Sequence, residues 1–175
     1  MATKDKMVSA AFRDHLNAQL AHDRLRSHGY ADSEINVLMS DAVRGKYYPT
    51  DRETPVKPNT AAAQGVGVGG AIGTVVGAAL GAIAAIGTNI ALPGLGLIVA
   101  GPVVAGLAGA GAGAVSGGLI GGLVGLGIPE SNARAYEEVL RDGGIVLGVV
   151  PHNSEDVNRI KQDFKELNGE NIYYG

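Results

Sequence analysis

The chain of 175 residues contains no cysteine and no tryptophan, and no charged or aromatic residue lies between Lys57 and Glu130. Without cysteine there is neither a disulfide nor a thiolate metal site, so cysteine usage leaves the redox compartment open. The formal net charge of −3 gives no reason to expect nucleic acid as a partner. The N-terminal residues lack the apolar core of a signal peptide, so we expect a cytoplasmic protein.

Glycine is abundant instead, with 28 residues, and in the uncharged middle it recurs at every fourth position. Four-residue spacing places these positions nearly above one another on a helix, where they form a stripe without side chains. Such a stripe lets a second helix backbone approach closely, which indicates association rather than catalysis. The predicted helix-packing and oligomerisation residues are Gly65, Gly69, Gly73, Gly77, Gly81, Gly109, Gly113, Gly117, Gly121 and Gly125.

The uncharged segment is predicted to form two long helices. The first is capped at residues 59–60 and ends near 88–89, and the second runs from about 103 to 126. At about 1.5 Å per residue each arm measures roughly 36–42 Å, more than the hydrocarbon layer of about 30 Å. An apolar turn over residues 90–102 joins them. Because both ends lead into charged flanks, we predict an antiparallel glycine-zipper hairpin.

The surfaces of these helices need to be buried against an apolar environment. Glycine costs a helix on the order of 1 kcal/mol per residue relative to alanine, so packing has to compensate. The face of the first arm opposite its glycines is bulky and apolar, which suits lipid or other copies of the protein. The segment lacks the interfacial aromatics of a membrane-spanning hairpin. Burial in a homo-oligomer and attachment to the inner membrane both stay open.

The first flank is predicted to fold as strand, helix and strand. The strands cover residues 7–12 and 34–40, and Asp14 caps the helix between them. Gly29 ends that helix. Leu16, Leu20 and Leu25 are expected along one side of this helix.

The second flank repeats this pattern after an additional helix that begins at Pro129 and Glu130. A strand over residues 145–150 follows, then a helix capped by Asn153 or Ser154, and a last strand over 171–174. In the first helix Ala133, Tyr136 and Leu140 are expected to share a face. In the second the side chains expected to face inward are Val157, Ile160, Phe164 and Leu167.

Two strand–helix–strand halves predict an α+β fold, a ferredoxin-like (split βαβ) head whose four-stranded antiparallel sheet has helices on one face. Each half alone is too small to bury an adequate core. We therefore assign residues 1–57 to the first half and its linker, 58–129 to the inserted hairpin and 130–175 to the extra helix and second half. Residues 41–59 are expected to be irregular, with Tyr47 and Tyr48 either packed on the head or placed at a membrane interface.

No catalytic, cofactor-binding or metal-binding residue is predicted, and we expect no enzyme. Residues 65–70 match G-x-G-x-x-G, but no strand precedes them and no acidic residue follows before Glu130. His15 and His22 are seven apart, whereas metal-binding pairs prefer three or four. The histidines are interpreted as solvated, and Glu137 and Glu138 as solubilising charge. The four histidines are His15, His22, His28 and His152.

Several short stretches of the sequence resemble those of a bacterial family of small general-stress, heat-induced proteins with a glycine-zipper insert. They are Phe12-Arg13-Asp14, the stretch 35–41, the Gly-Ile-Pro-Glu phrase within 125–130, and Tyr136-Glu137-Glu138. The resemblance implies a βαβ opening, the zipper, a helix and a closing βαβ half. It also implies a stress-linked protein without a known enzymatic activity, and it supplies no catalytic residues.

The leading hypothesis is a non-enzymatic, stress-associated protein that assembles into a homo-oligomer through its glycine-zipper hairpins. One alternative is a membrane-anchored module at the cytoplasmic surface, whose partner is lipid. A second alternative is a head that senses a small ligand, which rests on fold analogy alone. No cofactor is expected in any of the three.

Overall fold

The computed structural model describes residues 6–47, 88–92, 95–102 and 111–175. Within these ranges the protein is a mixed α+β fold with one six-stranded antiparallel sheet and five helices. The strands are β1 (Val8–Phe12), β2 (Ile35–Ser40), β3 (Thr88–Leu92), β4 (Leu95–Ala100), β5 (Ile145–Val149) and β6 (Glu170–Tyr174). The helices are α1 (His15–Ser27), α2 (Asp41–Tyr47), α3 (Gly111–Gly125), α4 (Glu130–Arg141) and α5 (Ser154–Glu166).

The sheet order is β3-β4-β2-β5-β1-β6, so the strands of the two flanks interleave. β5 lies between β1 and β2 and runs antiparallel to both. β1 and β2 therefore run in the same direction, and α1 connects them across β5. α5 similarly connects β5 to β6 across β1. Neither flank forms a sheet alone.

Both faces of the sheet carry apolar cores, whereas the sequence analysis expected helices on one face only. In β2 the residues Ile35, Val37 and Met39 point to one core and Leu38 to the other. Strands buried on both faces read as continuous apolar runs, and the burial of all of β1, β2 and β5 follows this rule. α1 and α5 cover the first face, and α3 and α4 cover the second.

The apolar turn expected over residues 90–102 is instead part of the sheet. β3 and β4 pair antiparallel with Leu92 opposite Leu95, and β4 pairs with β2, with Leu38 opposite Val99. An apolar run such as Leu95–Ala100 satisfies its backbone groups by joining the edge that β2 would otherwise present. The middle of the predicted insert thus extends the sheet of the flanks.

The predicted helical arms are only partly within the described residues. The first arm, residues 59 to 88–89, lies outside them except at its end, where Thr88 begins β3. In the second arm α3 ends at Gly125, close to the predicted Leu126. The arm is not one regular helix, because Gly118 has φ 60° and ψ −151°. That backbone conformation suits glycine alone, so the helix is broken at this position.

The caps of the flanking helices agree with the sequence. The Asp14 carboxylate accepts from the backbone N–H of Leu16 at 2.8 Å, and Gly29 follows α1 with φ 94°. The Asn153 side chain accepts from the N–H groups of Glu155 and Asp156 at 3.0 and 2.9 Å. These local signals act within a few residues of the chain, which is why the sequence predicts them.

The three leucines of α1 do not share one environment. Leu16 and Leu20 are 55% and 44% exposed, and only Leu25 of the three leucines is buried. The helix instead packs through Ala18, Ala21 and His22. Small side chains let α1 lie close to the sheet, so the larger leucines fall on the outer side.

The linker over residues 41–59 was expected to be irregular, but its start forms α2. The Ser40 hydroxyl accepts from the backbone N–H of Val43 at 3.3 Å, which stabilises the first turn. The ring of Tyr47 stacks on His15 with centroids 4.0 Å apart, so Tyr47 packs against the flank domain. Tyr48 and the rest of the linker lie outside the described residues.

Candidate assembly surface

The candidate site is the last part of α3, from Gly118 to Gly125. Of the predicted zipper glycines, only those in this part have a described burial. α3 contains no charged and no aromatic residue, and its sequence is GAGAVSGGLIGGLVG. A helix that is apolar on every side is normally covered on every side. What covers each side of α3 therefore decides what the segment can do.

One side of α3 packs on the second face of the sheet. Leu119 and Leu123 are 4% and 1% exposed, and both belong to the core that includes Leu97 and Val99 of β4. Ile128, just beyond the helix, is 4% exposed in the same core. The glycine-rich segment is thus fixed to the sheet by its few large side chains.

The end of α3 is fixed by a glycine stop. Gly127 has φ 96°, and the N–H of Ile128 bonds back to the carbonyl of Leu123 at 3.1 Å. A left-handed glycine after the helix, with a bond back across the last turn, is the usual C-terminal cap. The Tyr173 hydroxyl also donates to the carbonyl of Gly127 at 3.3 Å, which ties this turn to β6.

The opposite side of the same turns faces away from the sheet. Val124 is 43% exposed, and Gly125 is exposed. A Cβ atom built on Gly125 meets no atom within 4 Å. Gly121 lies one turn earlier on the same side and is half-buried. In these turns Val124 and Gly125 are exposed, whereas Gly122 and Leu123 are buried.

Helix α4 borders this outward side with charge. A shallow groove of about 250 Å³ is lined by Ile120 of α3 and by four charged side chains of α4. The Arg141 guanidinium bonds Glu137 at 2.6 Å and Arg134 Nε bonds Glu130 at 3.0 Å, both at i,i+4 spacing. The apolar surface of α3 therefore ends abruptly at a charged helix, as the rim of an interface does.

The predicted packing glycines are distributed unevenly over the described residues. Gly125 is exposed and Gly121 is half-buried in the last turns of α3, and Gly113 and Gly117 lie in α3 before the break at Gly118. The remaining predicted positions fall outside the described residues, and these are Gly65, Gly69, Gly73, Gly77, Gly81 and Gly109.

The interpretation of all four histidines as solvated is wrong for His22. This side chain is fully buried, and neither ring nitrogen has a hydrogen-bond partner among the described residues. Burial lowers the pKa of His22 to about 4, with Asp32 opposing and Arg26 adding to the effect. A lone polar residue on a helix gives no sequence signal for burial, so only the packing of α1 reveals it.

The other three histidines are partly exposed and have partners. His15 stacks on Tyr47 as described above. His28 Nε2 lies 2.7 Å from the Asp163 carboxylate, and His152 Nε2 lies 2.8 Å from that of Glu34. The first contact joins the end of α1 to α5, and the second joins the residue before β2 to the loop after β5. Both contacts have a structural role.

A buried tyrosine hydroxyl was not anticipated from the sequence. Tyr136 of α4 was expected to share a face with Ala133 and Leu140, and it is fully buried. Its hydroxyl donates to the carbonyl of Asn171 at 2.8 Å and lies 3.0 Å from the Ser9 hydroxyl, which donates to it. Burial raises the pKa of Tyr136 to about 12. This pair connects α4 to β1 and β6 across the second core.

The acidic residues of α4 differ in environment. Glu138 has a side chain that is 71% exposed and lies 3.7 Å from Arg13. Glu137 has a side chain that is only 19% exposed and is held by Arg141. Glu138 fits the expected role of a solubilising charge. Glu137 is instead partly buried beside Ile120 of α3.

Two features are absent from the described residues. No group of three or more His, Cys, Asp or Glu side chains in them is arranged to hold a metal ion. None of the helices in this part of the chain has both the length and the apolar character needed to cross a bilayer.

Comparison with protein-family models, with curated proteins and with solved structures gives no match to this chain. The resemblance to small general-stress proteins therefore stays a prediction from the sequence phrases.

Proposed function

We propose that this chain is a non-enzymatic protein that assembles into a homo-oligomer through its glycine-rich segment. The observation that carries the proposal is the two-sided character of the end of α3. Leu119 and Leu123 are buried against the sheet, while the exposed Val124 and Gly125, with the half-buried Gly121 beside them, form a small apolar surface. A second helix backbone fits such a surface closely.

The energetics favour a cover for this surface. Glycine in a helix interior costs about 1 kcal/mol relative to alanine, and a water-exposed helix recovers none of it. Close backbone packing supplies dispersion contacts over the length of the stripe, which offsets that cost. Another copy of the chain carries the same stripe and is therefore self-complementary, as an isologous interface requires.

We further propose that the two flanks form a ferredoxin-like head. The order β2-β5-β1-β6, with α1 and α5 on one face, supports this proposal. In it, residues 58–129 are an insertion between the second and third strands of the head. Antiparallel pairing of the two glycine-rich arms remains part of the proposal, with β3 and β4 returning to the sheet between them.

The biological setting we propose is the cytoplasm of a stressed bacterial cell. Its support is the resemblance of the Gly-Ile-Pro-Glu phrase within 125–130 and of Tyr136-Glu137-Glu138 to small general-stress proteins. Messenger abundance before and after heat treatment tests this part separately. An unchanged level under heat, oxidative and osmotic stress removes it without affecting the assembly proposal.

The assembly is tested with a matched pair of valine substitutions. Val124→Lys places a charge on the outward side of α3, and Val150→Lys places one after β5, where Val150 is 37% exposed. Both side chains can reach water in a single copy, so both variants should fold. We expect wild type and Val150→Lys to sediment as one large species without detergent, and Val124→Lys to shift toward the 17.7 kDa monomer.

Two results would overturn the proposal. One is a wild-type chain that sediments as a monomer, and the other is a Val124→Lys profile that matches wild type. The double substitution Gly73→Leu with Gly117→Leu extends the test to both arms, and an intact assembly in that variant also contradicts the zipper. Sedimentation of the wild type with vesicles through a carbonate wash would instead favour the membrane-anchored alternative.

A further inference from the structure

A second, separate feature lies at the end of the sheet where β1 and β2 finish and β5 begins. A cavity of about 310 Å³ opens there between α2 and the turn from α4 to β5. This volume is at the lower end of the range for small-molecule sites, which is roughly 300–1,000 Å³. Its polar and aromatic lining includes Arg13, Ser40, Lys46, Tyr47, Arg141 and Asp142.

The charge around the cavity is mostly positive. Among the described residues, three cationic side chains line it, and Asp142 is the only acidic one. Arg13 bonds Asp142 at 2.6 Å and Glu170 at 3.2 Å, so its guanidinium is already held by carboxylates. Arg141 is likewise held by Glu137. These two arginines form a fixed wall rather than a free counter-charge.

Lys46 differs from the two arginines. Its ammonium lies 4.9 Å from the centroid of the Tyr47 ring, and no carboxylate in the described part of the chain pairs with it. The ring itself is held by stacking on His15. The cation–π contact therefore positions the ammonium at the cavity without neutralising its charge.

Ser40 supplies a donor near the same cavity. It is 7% exposed, and its oxygen accepts from the N–H of Val43. No described residue accepts the hydroxyl hydrogen, so that hydrogen is available to a ligand in the cavity. An ammonium and a hydroxyl donor together match an acceptor with a negative charge.

We propose that this cavity binds a small anion through a phosphate or carboxylate group. Lys46 supplies the charge and Ser40 a hydrogen bond, while the Arg13–Asp142 pair fixes the opposite wall. The site lies at the end of the sheet and is formed by residues outside α3, so it is independent of the proposed assembly.

The test is a titration of the full-length protein with inorganic phosphate and, separately, with succinate at low ionic strength. Amide resonances of Gly143 and Lys46 report binding in nuclear magnetic resonance spectra. We expect saturable shifts in the wild type and binding about tenfold weaker or more in Lys46→Gln, because a charge-assisted hydrogen bond contributes that much. Lys46→Arg should recover most of the affinity.

Lys165→Gln is the control, since Lys165 is an exposed lysine of α5 outside the cavity lining. It should bind like wild type. The relative affinity for phosphate and succinate identifies which acid group the site prefers. The proposal is overturned if neither anion gives saturable shifts, or if Lys46→Gln binds both as tightly as wild type does.

Discussion

The buried ring of His22 faces the carboxylate of Asp32, with Nε2 and Oδ1 3.4 Å apart. The opposite nitrogen, Nδ1, lies 3.8 Å from Asp23, and neither nitrogen makes a hydrogen bond within the described residues. Arg26 Nε lies 3.0 Å from the same oxygen of Asp32 without hydrogen-bond geometry. A buried imidazole in this position is stable only while it is neutral, because the cation would be desolvated.

Stability should therefore fall in acid because of His22. Its pKa is about 4 when folded, against 6.5 for the free side chain, so the unfolded chain takes up the proton first as pH falls. The contribution is fully present above pH 6.5, declines through the interval down to about 4, and is flat below it. The total loss is about 3 kcal/mol. Urea unfolding at a series of pH values measures it.

His22→Met should remove most of that slope. It also deletes two buried polar atoms without partners, so the free energy of unfolding at pH 7 should rise by about 1 kcal/mol. His152→Gln is the control, because the His152 side chain is 47% exposed. A slope between pH 6.5 and 4.5 that persists in His22→Met would show that another group causes it.

The buried hydroxyl of Tyr136 makes a second prediction. Tyr136→Phe leaves Ser9 and the carbonyl of Asn171 without their shared partner, which should cost about 1–2 kcal/mol. Adding Ser9→Ala should cost less in that variant than in the wild type, because both substitutions remove the same bond. Thermal or urea unfolding of the four proteins completes the cycle. Strict additivity would contradict the hydrogen bond.

Tyr136 also predicts sensitivity to alkali. Its pKa is raised from 10.0 to about 12 in the folded state, so the unfolded chain loses the proton first as pH rises. The stability that this group contributes is complete below pH 10 and declines between 10 and 12. Tyr136→Phe should flatten this decline, and unfolding curves at pH 9, 10 and 11 measure it. An identical decline in both proteins would exclude Tyr136 as its cause.

The elements of the flanks were predictable because their signals are local. Asp14 and Asn153 cap the helices that they precede, and Gly29 and Gly143 follow helices with φ of 94° and 88°. Each signal concerns a backbone group within four residues. The interleaved strand order was harder to predict, because it depends on pairs such as Phe12 and Ile145 that are far apart in the chain.

What the sequence did not reveal depends on distant partners. Leu95–Ala100 was predicted as part of a turn between helices. Its partner strand β2 lies more than 50 positions earlier in the chain, so the local sequence does not indicate the pairing. Leu16 and Leu20 are more hydrophobic than Ala18 and Ala21, yet the alanines are the buried residues. Their small side chains let α1 approach the sheet more closely. His22 was misinterpreted for the same reason, since burial on α1 follows packing rather than polarity.

The candidate surface on α3 was partly predictable. The four-residue period identified Gly121 and Gly125 as one stripe, and in the structure Gly125 is exposed and Gly121 half-buried in the last turns of α3. The break at Gly118 was not predictable, because the period alone gives no reason to single out one glycine in an unbroken glycine-rich helix. Nor did the period indicate that Leu119 and Leu123 would seat the helix on the sheet.

The last prediction compares two glycines that differ in their surroundings. A Cβ atom on Gly144 would lie 2.6 Å from the carbonyl oxygen of Phe12 and would collide with the Val139 side chain. Because backbone atoms of β1 and α4 cannot yield cheaply, Gly144→Ala should lower the free energy of unfolding by about 3 kcal/mol. Gly45 in α2 has nothing within 4 Å of its Cβ position.

Gly45→Ala is therefore the control for Gly144→Ala. Alanine is favoured over glycine in a helix by about 1 kcal/mol, so this substitution should be neutral or stabilising. Urea unfolding of the wild type and both variants at pH 7 gives the comparison. Equal losses in the two variants would mean that α4 does not pack tightly on β1 at Gly144. A loss confined to Gly144→Ala locates the tight contact at the turn that leads from α4 into β5.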